Sequence, residues 1–416
     1  MFFSCTKTNT SNSINANNVS HQVIETDYLG FDSYGQSLSI GGDAGKTAYL
    51  ASTIQKFNSV MPNLGVRSLD YPKLIPTSFV PLVEQLNANG TMGETLCSGA
   101  CEMFAQAYPE RPFILKGVAS GYGGQTVAQL SKGTPRYKQY MKDITNAYKT
   151  AQSMGNSYAL GMSGWTQGEA DIEQGTTYDT YKTALLQLYS DINTDVPDTT
   201  LQTNTIPFIV GQISSTNRTT ASMSNPEIAL AQLDLCVNNP GFTLATPMYF
   251  LDFITDNTHL TGANYRILAA YYGYAAKKFV IDDEKNFIYL TQLTEVSSDI
   301  YLVFNVPVAP LFFDTSRVKN PGDYGFTVKN SSGKKMKLKM VEILGGDSVH
   351  IKCANTPAGG ILSYAINGNS RKAGRTLGPR GCMRDSQGDS IIFDPGDSTH
   401  TNFPLYNWCP IFKAQL

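Results

Sequence analysis

Four short apolar runs punctuate the middle of the chain: PFILKGVAS (112–120), YALGMSGW (158–165), PFIVGQI (207–213) and PMYFLDFI (247–254). Runs of this length bounded by Gly, Pro and polar residues predict buried strands. Between them the apolar spacing becomes helical. Thr91 and Glu94 form a capping-box pattern, followed by Leu96, Cys97, Ala100, Cys101, Phe104 and Ala105 on one face. Tyr178, Tyr181, Ala184, Leu185, Leu188 and Ile192 keep the same period. Strand, turn and helix in repetition predict a parallel sheet covered by helices, an α/β unit spanning 29–282. Ligands of such sheets bind beyond the carboxyl ends of the strands.

The pattern changes on either side. Residues 1–28 begin with the Ser/Thr/Asn-rich CTKTNTSNSINANN, which has no apolar period and reads as a polar N-terminal arm. From 283 to 416 the runs IYLVFNVPVAPLFF, YGFTVKN, KMKLKMVEIL, SVHIKCA and GILSYAING alternate, separated by turns such as NPGD and LGGDS. This predicts a C-terminal antiparallel β domain. Its KKMKLK stretch reads as the wet face of a strand. GRTLGPRGCMRDS places Arg375, Arg380 and Arg384 in a glycine-rich loop, either solvated or cradling an anionic sugar.

Composition narrows the function. At 416 residues the chain is long for one domain, which agrees with the change of pattern. A net charge of -2 with 16% charged residues gives no footprint for nucleic acid. No segment approaches the roughly 20 apolar residues of a membrane span. Seven cysteines are too few for a disulfide scaffold, and none sits in a zinc-binding pattern. Cys97 and Cys101 are read as packing residues. MFFSC is too short an apolar start for a signal peptide, so export by the ordinary signal route is not expected. The oligomeric state, monomer or homo-oligomer, is left open.

Four histidines, at 21, 259, 350 and 400, are the only imidazole bases. His21 lies in the arm, His350 in a strand and His400 in a Ser/Thr-rich loop. His259 stands in DNTHLTGANYRILAAYYGYAA, between an apolar strand and a helix for which Thr261 is a plausible N-cap. Asp256, three residues earlier, is within reach of its ring. GFDSYGQSLSIGG offers Ser37 as a nucleophile on a tight turn. SGYGGQTV supplies Gly123 and Gly124 after another strand, where backbone N–H groups can approach a ligand. GWTQGEAD (164–171) adds the amide of Gln167.

GQS, GGQT, WTQGEAD and DNTHL, in that order, resemble the blocks of the SGNH hydrolase superfamily. They are similar in particular to its sialate O-acetylesterase and acetylxylan-esterase branch. The resemblance covers roughly 29–280 and implies a flavodoxin-like three-layer α/β/α sandwich that hydrolyses O-acetyl esters on carbohydrate. By that likeness Ser37 is the nucleophile, His259 the base and Asp256 its orienting acid. Ser37, Gly124 and Gln167 would form the oxyanion hole, and Gln36, Trp165 and Glu169 would shape the substrate site. Two positions depart: Leu38 follows the serine where the family usually has Asn, and Leu130 stands near a place often aromatic. No metal or organic cofactor is implied. The partner would be an acetylated carbohydrate or polysaccharide. An esterase joined to a β-rich module and a polar arm is also similar to phage tail proteins that deacetylate surface polysaccharide, an extracellular or virion-associated setting. Two rivals remain at this level: a carbohydrate- or receptor-binding protein with a vestigial site, and a GDSL-type lipase or thioesterase. The polar loops SKGTPRYKQY and ADIEQGTTYD disfavour the second.

Overall fold

A computed structural model describes residues 25–43, 57–214, 226–396 and 400–416. The proposed arm, with His21, lies outside these except for its last residues. There Asp27 accepts hydrogen bonds from the backbone and hydroxyl of Ser157, and its N–H returns one to Ser157 Oγ.

A seven-stranded sheet forms the centre. Its strands are β1 (Tyr28–Gly35), β2 (Val60–Pro62), β3 (Phe79–Pro81), β4 (Ile114–Ala119), β5 (Tyr158–Thr166), β6 (Phe208–Gln212) and β7 (Phe242–Pro247). They lie in the order β3-β2-β4-β1-β5-β6-β7. All neighbours are parallel except the edge pair β2–β3. The run β4-β1-β5-β6-β7 is the flavodoxin order, with β2 and β3 added beyond it. β1 is the switch point: after it the chain lays down β2 and β3 at the far edge of one side, returns to β4 next to β1, then crosses to the other side at β5. Every residue of β1 is buried, as expected of a central strand covered on both faces.

The helices follow the apolar periods. They are α1 (Cys97–Ala107), α2 (Val127–Leu130), α3 (Pro135–Ser153), α4 (Glu169–Gln174), α5 (Tyr178–Thr200), α6 (Glu227–Asn238) and α7 (Gly262–Val280). Cys97 and Cys101 are buried thiols on the inner face of α1, which fits their reading as packing residues. Thr261 caps α7 by accepting the N–H of Asn264.

Two readings are corrected. The Thr91/Glu94 capping box does not form, because α1 starts six residues after Thr91. Thr91 bonds to Asn89 instead, and Glu94 accepts from the Ser98 hydroxyl. PMYFLDFI is not a strand either: β7 ends at Pro247. Met248, Tyr249, Phe250 and Leu251 are buried because the C-terminal region covers them. Tyr249 donates to the Cys409 carbonyl, and Phe250 stacks on Trp408 with ring centroids 5.3 Å apart. An apolar run signals burial, and here the burial is not in the sheet.

After α7 the strands Tyr289–Val296, Asp299–Asn305, Leu338–Leu344 and Ser348–Cys353 form one antiparallel sheet. Phe326–Lys329, Ile361–Tyr364 and Phe412–Gln415 form another. Lys334, Lys335, Lys337 and Lys339 are exposed, as a solvated face requires. The three arginines do not form a common cradle. Arg375 pairs with Asp252 at 2.7 Å, and Arg384 pairs with Asp314 and covers the Tyr406 ring. The buried Arg380 donates to the carbonyls of Lys319 and Gly378.

Candidate active site

β1 ends at Gly35, Gln36 is extended, and the chain then tightens into a single 3₁₀ turn, Ser37–Ile40. From Tyr28 to Gly42 every residue is buried except Ser37, which is half-buried at the carboxyl end of the central strand. Gly42 closes the turn by donating to the Ser37 carbonyl at 2.8 Å. A Cβ at position 42 would lie 2.7 Å from Ser37 Cβ and 3.2 Å from His259 Cδ2, so only glycine leaves room for serine and imidazole to meet.

His259 arrives from the loop between β7 and α7. Asp256 Oδ1 accepts the backbone N–H groups of Thr258 (2.8 Å) and His259 (3.0 Å), which folds Asp256–His259 into a tight loop. The ring then lies between two partners: Nδ1 is 2.7 Å from Asp256 Oδ2, and Nε2 is 2.7 Å from Ser37 Oγ. With the proton on Nδ1, facing the carboxylate, Nε2 is the acceptor for the serine hydroxyl. Partial burial works against the charge on Asp256, but the His259 ring and the backbone N–H groups of His259 and Thr258 outweigh it. They hold its pKa at about 2. A second carboxylate, unnoticed in the sequence, stands beside the same nitrogen: Asp43 Oδ2 is 3.3 Å from Nδ1.

Asp43, Asp256 and His259 are the single set of metal-ligating side chains that converges among the described residues, with ligand atoms within 4.8 Å of one another. Nδ1 cannot serve a cation and the Asp256 hydrogen bond together. Nothing else at the site suggests a metal.

The glycine loop follows β4. A Cβ at Gly123 would sit 3.7 Å from Ser37 Cβ, which places this loop against the serine. Gly124 has φ +69°, and a Cβ there would meet nothing within 4 Å. Among the described residues no acceptor takes the backbone N–H of Ser37 or Gly124.

The GWTQGEAD residues differ in part from expectation. The Trp165 indole is fully enclosed on β5, stacked on Phe208 and donating to the Tyr181 hydroxyl at 3.1 Å, so it shapes the site from beneath. Gln36 is also spent internally. Its Oε1 accepts the N–H groups of Gly168 and Ala170 and so caps α4, which has no capping side chain of its own. Glu169 opens α4 with its side chain buried. Gln36, Trp165 and Glu169 therefore sit under the site rather than on its open surface. The Gln167 amide is committed as well: Nε2 donates to Asp171 Oδ2 and, at 3.1 Å, to the Gln125 carbonyl. Both amide hydrogens are thus used, which corrects the expectation that Gln167 stands ready for an oxyanion.

Asp171 is the residue that the sequence reading passed over. It is buried, and burial raises its pKa. Besides Gln167 it accepts the N–H of Val127 (2.8 Å) and the hydroxyl of Thr176 (2.8 Å). One carboxylate therefore ties the turn after β5 to the loop after β4.

The model of the SASA family, described as carbohydrate esterase, sialic acid-specific acetylesterase, matches residues 48–278. The chain belongs to this family. It is thereby a carbohydrate O-acetylesterase. The match begins after Ser37, so the serine turn lies outside the matched stretch. No curated protein matches the chain. Among solved structures it is similar to XAC1771, a carbohydrate acetylesterase from Xanthomonas citri. The identity is 13% and the TM-score 0.59, over 93% of this chain and 80% of that one. NanS matches at 13% identity and TM-score 0.43, over 62% of this chain and 99% of its own. A protein from Arabidopsis thaliana matches at 15% and 0.42, over 60% and 98%. The likeness to XAC1771 spans the C-terminal β region as well as the sheet, and at this identity it speaks for the fold.

Proposed function

We propose that this SASA-family enzyme removes O-acetyl groups from a carbohydrate or surface polysaccharide by acyl transfer through Ser37. The observation that carries this reading is the unbroken chain Asp256–His259–Ser37, with both hydrogen bonds at 2.7 Å, at the carboxyl end of the switch-point strand. His259 Nε2 takes the hydroxyl proton as Ser37 Oγ attacks the acetyl carbonyl. The oxyanion that forms is met by the backbone N–H groups of Ser37 and Gly124. The C–O bond to the sugar breaks, and the sugar alcohol leaves with the proton from His259. Water, deprotonated by the same nitrogen, then releases acetate and restores the serine. Asp256 keeps the ring in the tautomer that makes Nε2 the base and offsets the charge of the imidazolium. All these groups come from 29–282, and the β region after 283 serves glycan binding or assembly.

The test is acetate release from a panel of O-acetylated glycans by the wild type and by Ser37→Ala. A folded Ser37→Ala protein that still turns over at a near-normal rate would eliminate the mechanism.

A further inference from the structure

We infer that His259 is oriented by two carboxylates, with Asp43 as a second positioning residue for the base. The inference rests on the esterase reading for its consequence, but the contact itself is geometric. Nδ1 is hydrogen-bonded to Asp256 Oδ2 at 2.7 Å, and the Asp43 carboxylate stands beside the same nitrogen, with Oδ2 3.3 Å away, as a charge contact. The two acids reach the ring from different parts of the fold. Asp256 belongs to the histidine's own loop and is anchored there by two backbone N–H groups. Asp43 belongs to the serine's segment, six residues beyond the nucleophile.

That segment is held in place to bring Asp43 there. Gly41 is left-handed (φ +74°), Gly42 donates to the Ser37 carbonyl, and the Gly42 carbonyl accepts the Tyr265 hydroxyl at 2.7 Å from α7. Asp43 itself has φ +55°, a conformation Asp adopts more readily than most residues with a side chain. Left-handed backbone of this kind persists where the surroundings over-determine it, and it concentrates at functional sites. The titratable groups around the ring are Asp256 and Asp43, with Tyr265 behind, whose hydroxyl feels Asp256, Asp43 and Glu169 in turn. Within this set the two aspartates alone approach Nδ1. Asp43 thus couples the nucleophile's turn to the base: a shift of the serine segment also alters the charge at the imidazole.

The arrangement sets a pattern for substitution. An enzyme whose base is oriented by one acid loses roughly 10⁴-fold in kcat when that acid becomes an amide. Here Asp256→Asn alone is expected to lose about 10²-fold, because the Asp43 carboxylate still stands beside Nδ1 and can take over its proton, and the double Asp43→Asn/Asp256→Asn variant about 10⁴-fold. Asp43→Asn alone is expected to lower kcat/KM about tenfold, mainly through kcat, with Asp43→Glu recovering part of the loss. The Nδ1–H proton of His259, followed by NMR in the Ser37→Ala background, should move its resonance on Asp43→Asn. That readout needs no turnover, so it tests the pair even if the esterase mechanism fails. An unchanged kcat/KM and an unchanged His259 Nδ1–H resonance in Asp43→Asn, in both the wild-type and Asp256→Asn backgrounds, would overturn the inference.

Discussion

Gln167→Ala distinguishes two uses of one amide. An oxyanion donor would cost about 10²- to 10³-fold in kcat with little change of stability. The amide here serves Asp171 and the Gln125 carbonyl, so removing it should cost about 1 kcal/mol by taking one hydrogen bond from each, Asp171 keeping that of Val127, with kcat falling less than a lost oxyanion donor demands. Urea denaturation and steady-state kinetics on the same variant separate the outcomes. Asp256 carries a second expectation at this scale. Its folded-state pKa, about 2, lies below the ordinary carboxylate value near 3.9. Its contribution to stability is therefore present above pH ~3.9 and lost as pH falls through about 2. The difference in Tm between wild type and Asp256→Asn should shrink across that window and vanish below it. Ser37, His259 and Asp256 were legible in the sequence because each sits in a short block at a strand end, and DxxH lets the two side chains meet within one loop. Asp43 was not legible. Its reach depends on left-handed backbone at Gly41 and Asp43, which no spacing announces. Asp171 was visible within GWTQGEAD, but its partner Val127 lies 44 residues away in the chain.

Elements were legible where their burial came from the sheet and illegible where it came from elsewhere. PFILKGVAS, YALGMSGW and PFIVGQI are strands packed between helices. PMYFLDFI is equally apolar, yet it turns away after Pro247 to be covered by Tyr406–Cys409. The helix after GWTQGEAD was readable from its own period, whereas the cap on α4 is supplied by Gln36, 134 residues before Ala170. The β strands carry one titratable latch of their own. His350 lies between Glu342 at 3.0 Å and Asp299 at 2.7 Å, with the Tyr301 ring stacked on it. Burial alone would lower its pKa, but the two carboxylates outweigh it and raise the pKa above the usual value near 6.5. A raised folded-state pKa means stabilisation that is complete below pH ~6.5 and lost as pH rises through the higher folded value. The Tm difference between wild type and His350→Gln should therefore be largest near pH 5–6 and decline on the alkaline side. A difference that grows with pH would refute the pairing.

At the scale of the molecule, the sheet unit and the β region share a core. Tyr271 donates to the Tyr406 carbonyl, Arg266 Nε to the Pro395 carbonyl, and Phe250 stacks on Trp408. A fragment ending after α7 would leave Tyr249, Phe250 and Tyr271 facing water. It should aggregate or bind hydrophobic dyes, and Phe250→Ala in the full chain should cost about 3–5 kcal/mol. A soluble, dye-silent fragment would show that this shared core is dispensable. The change of pattern near 285 was readable, but the interlocking was not, because it joins residues far apart in the chain. Gln212, at the end of β6, is paired on both sides with Ile411: its amide donates to that carbonyl at 2.9 Å, and its Oε1 accepts that N–H at 2.7 Å. The two residues are 199 apart. At about 5–20 residues per second, a ribosome needs roughly 10 to 40 s to travel between them. Once residue 259 has been added, Ser37, Asp256 and His259 are all synthesised for the rest of that interval, but the polar end of β6 still awaits its partner. Under the proposed mechanism, esterase activity on the ribosome should therefore lag behind the appearance of His259, and the waiting strand end is where a chaperone would have most to protect.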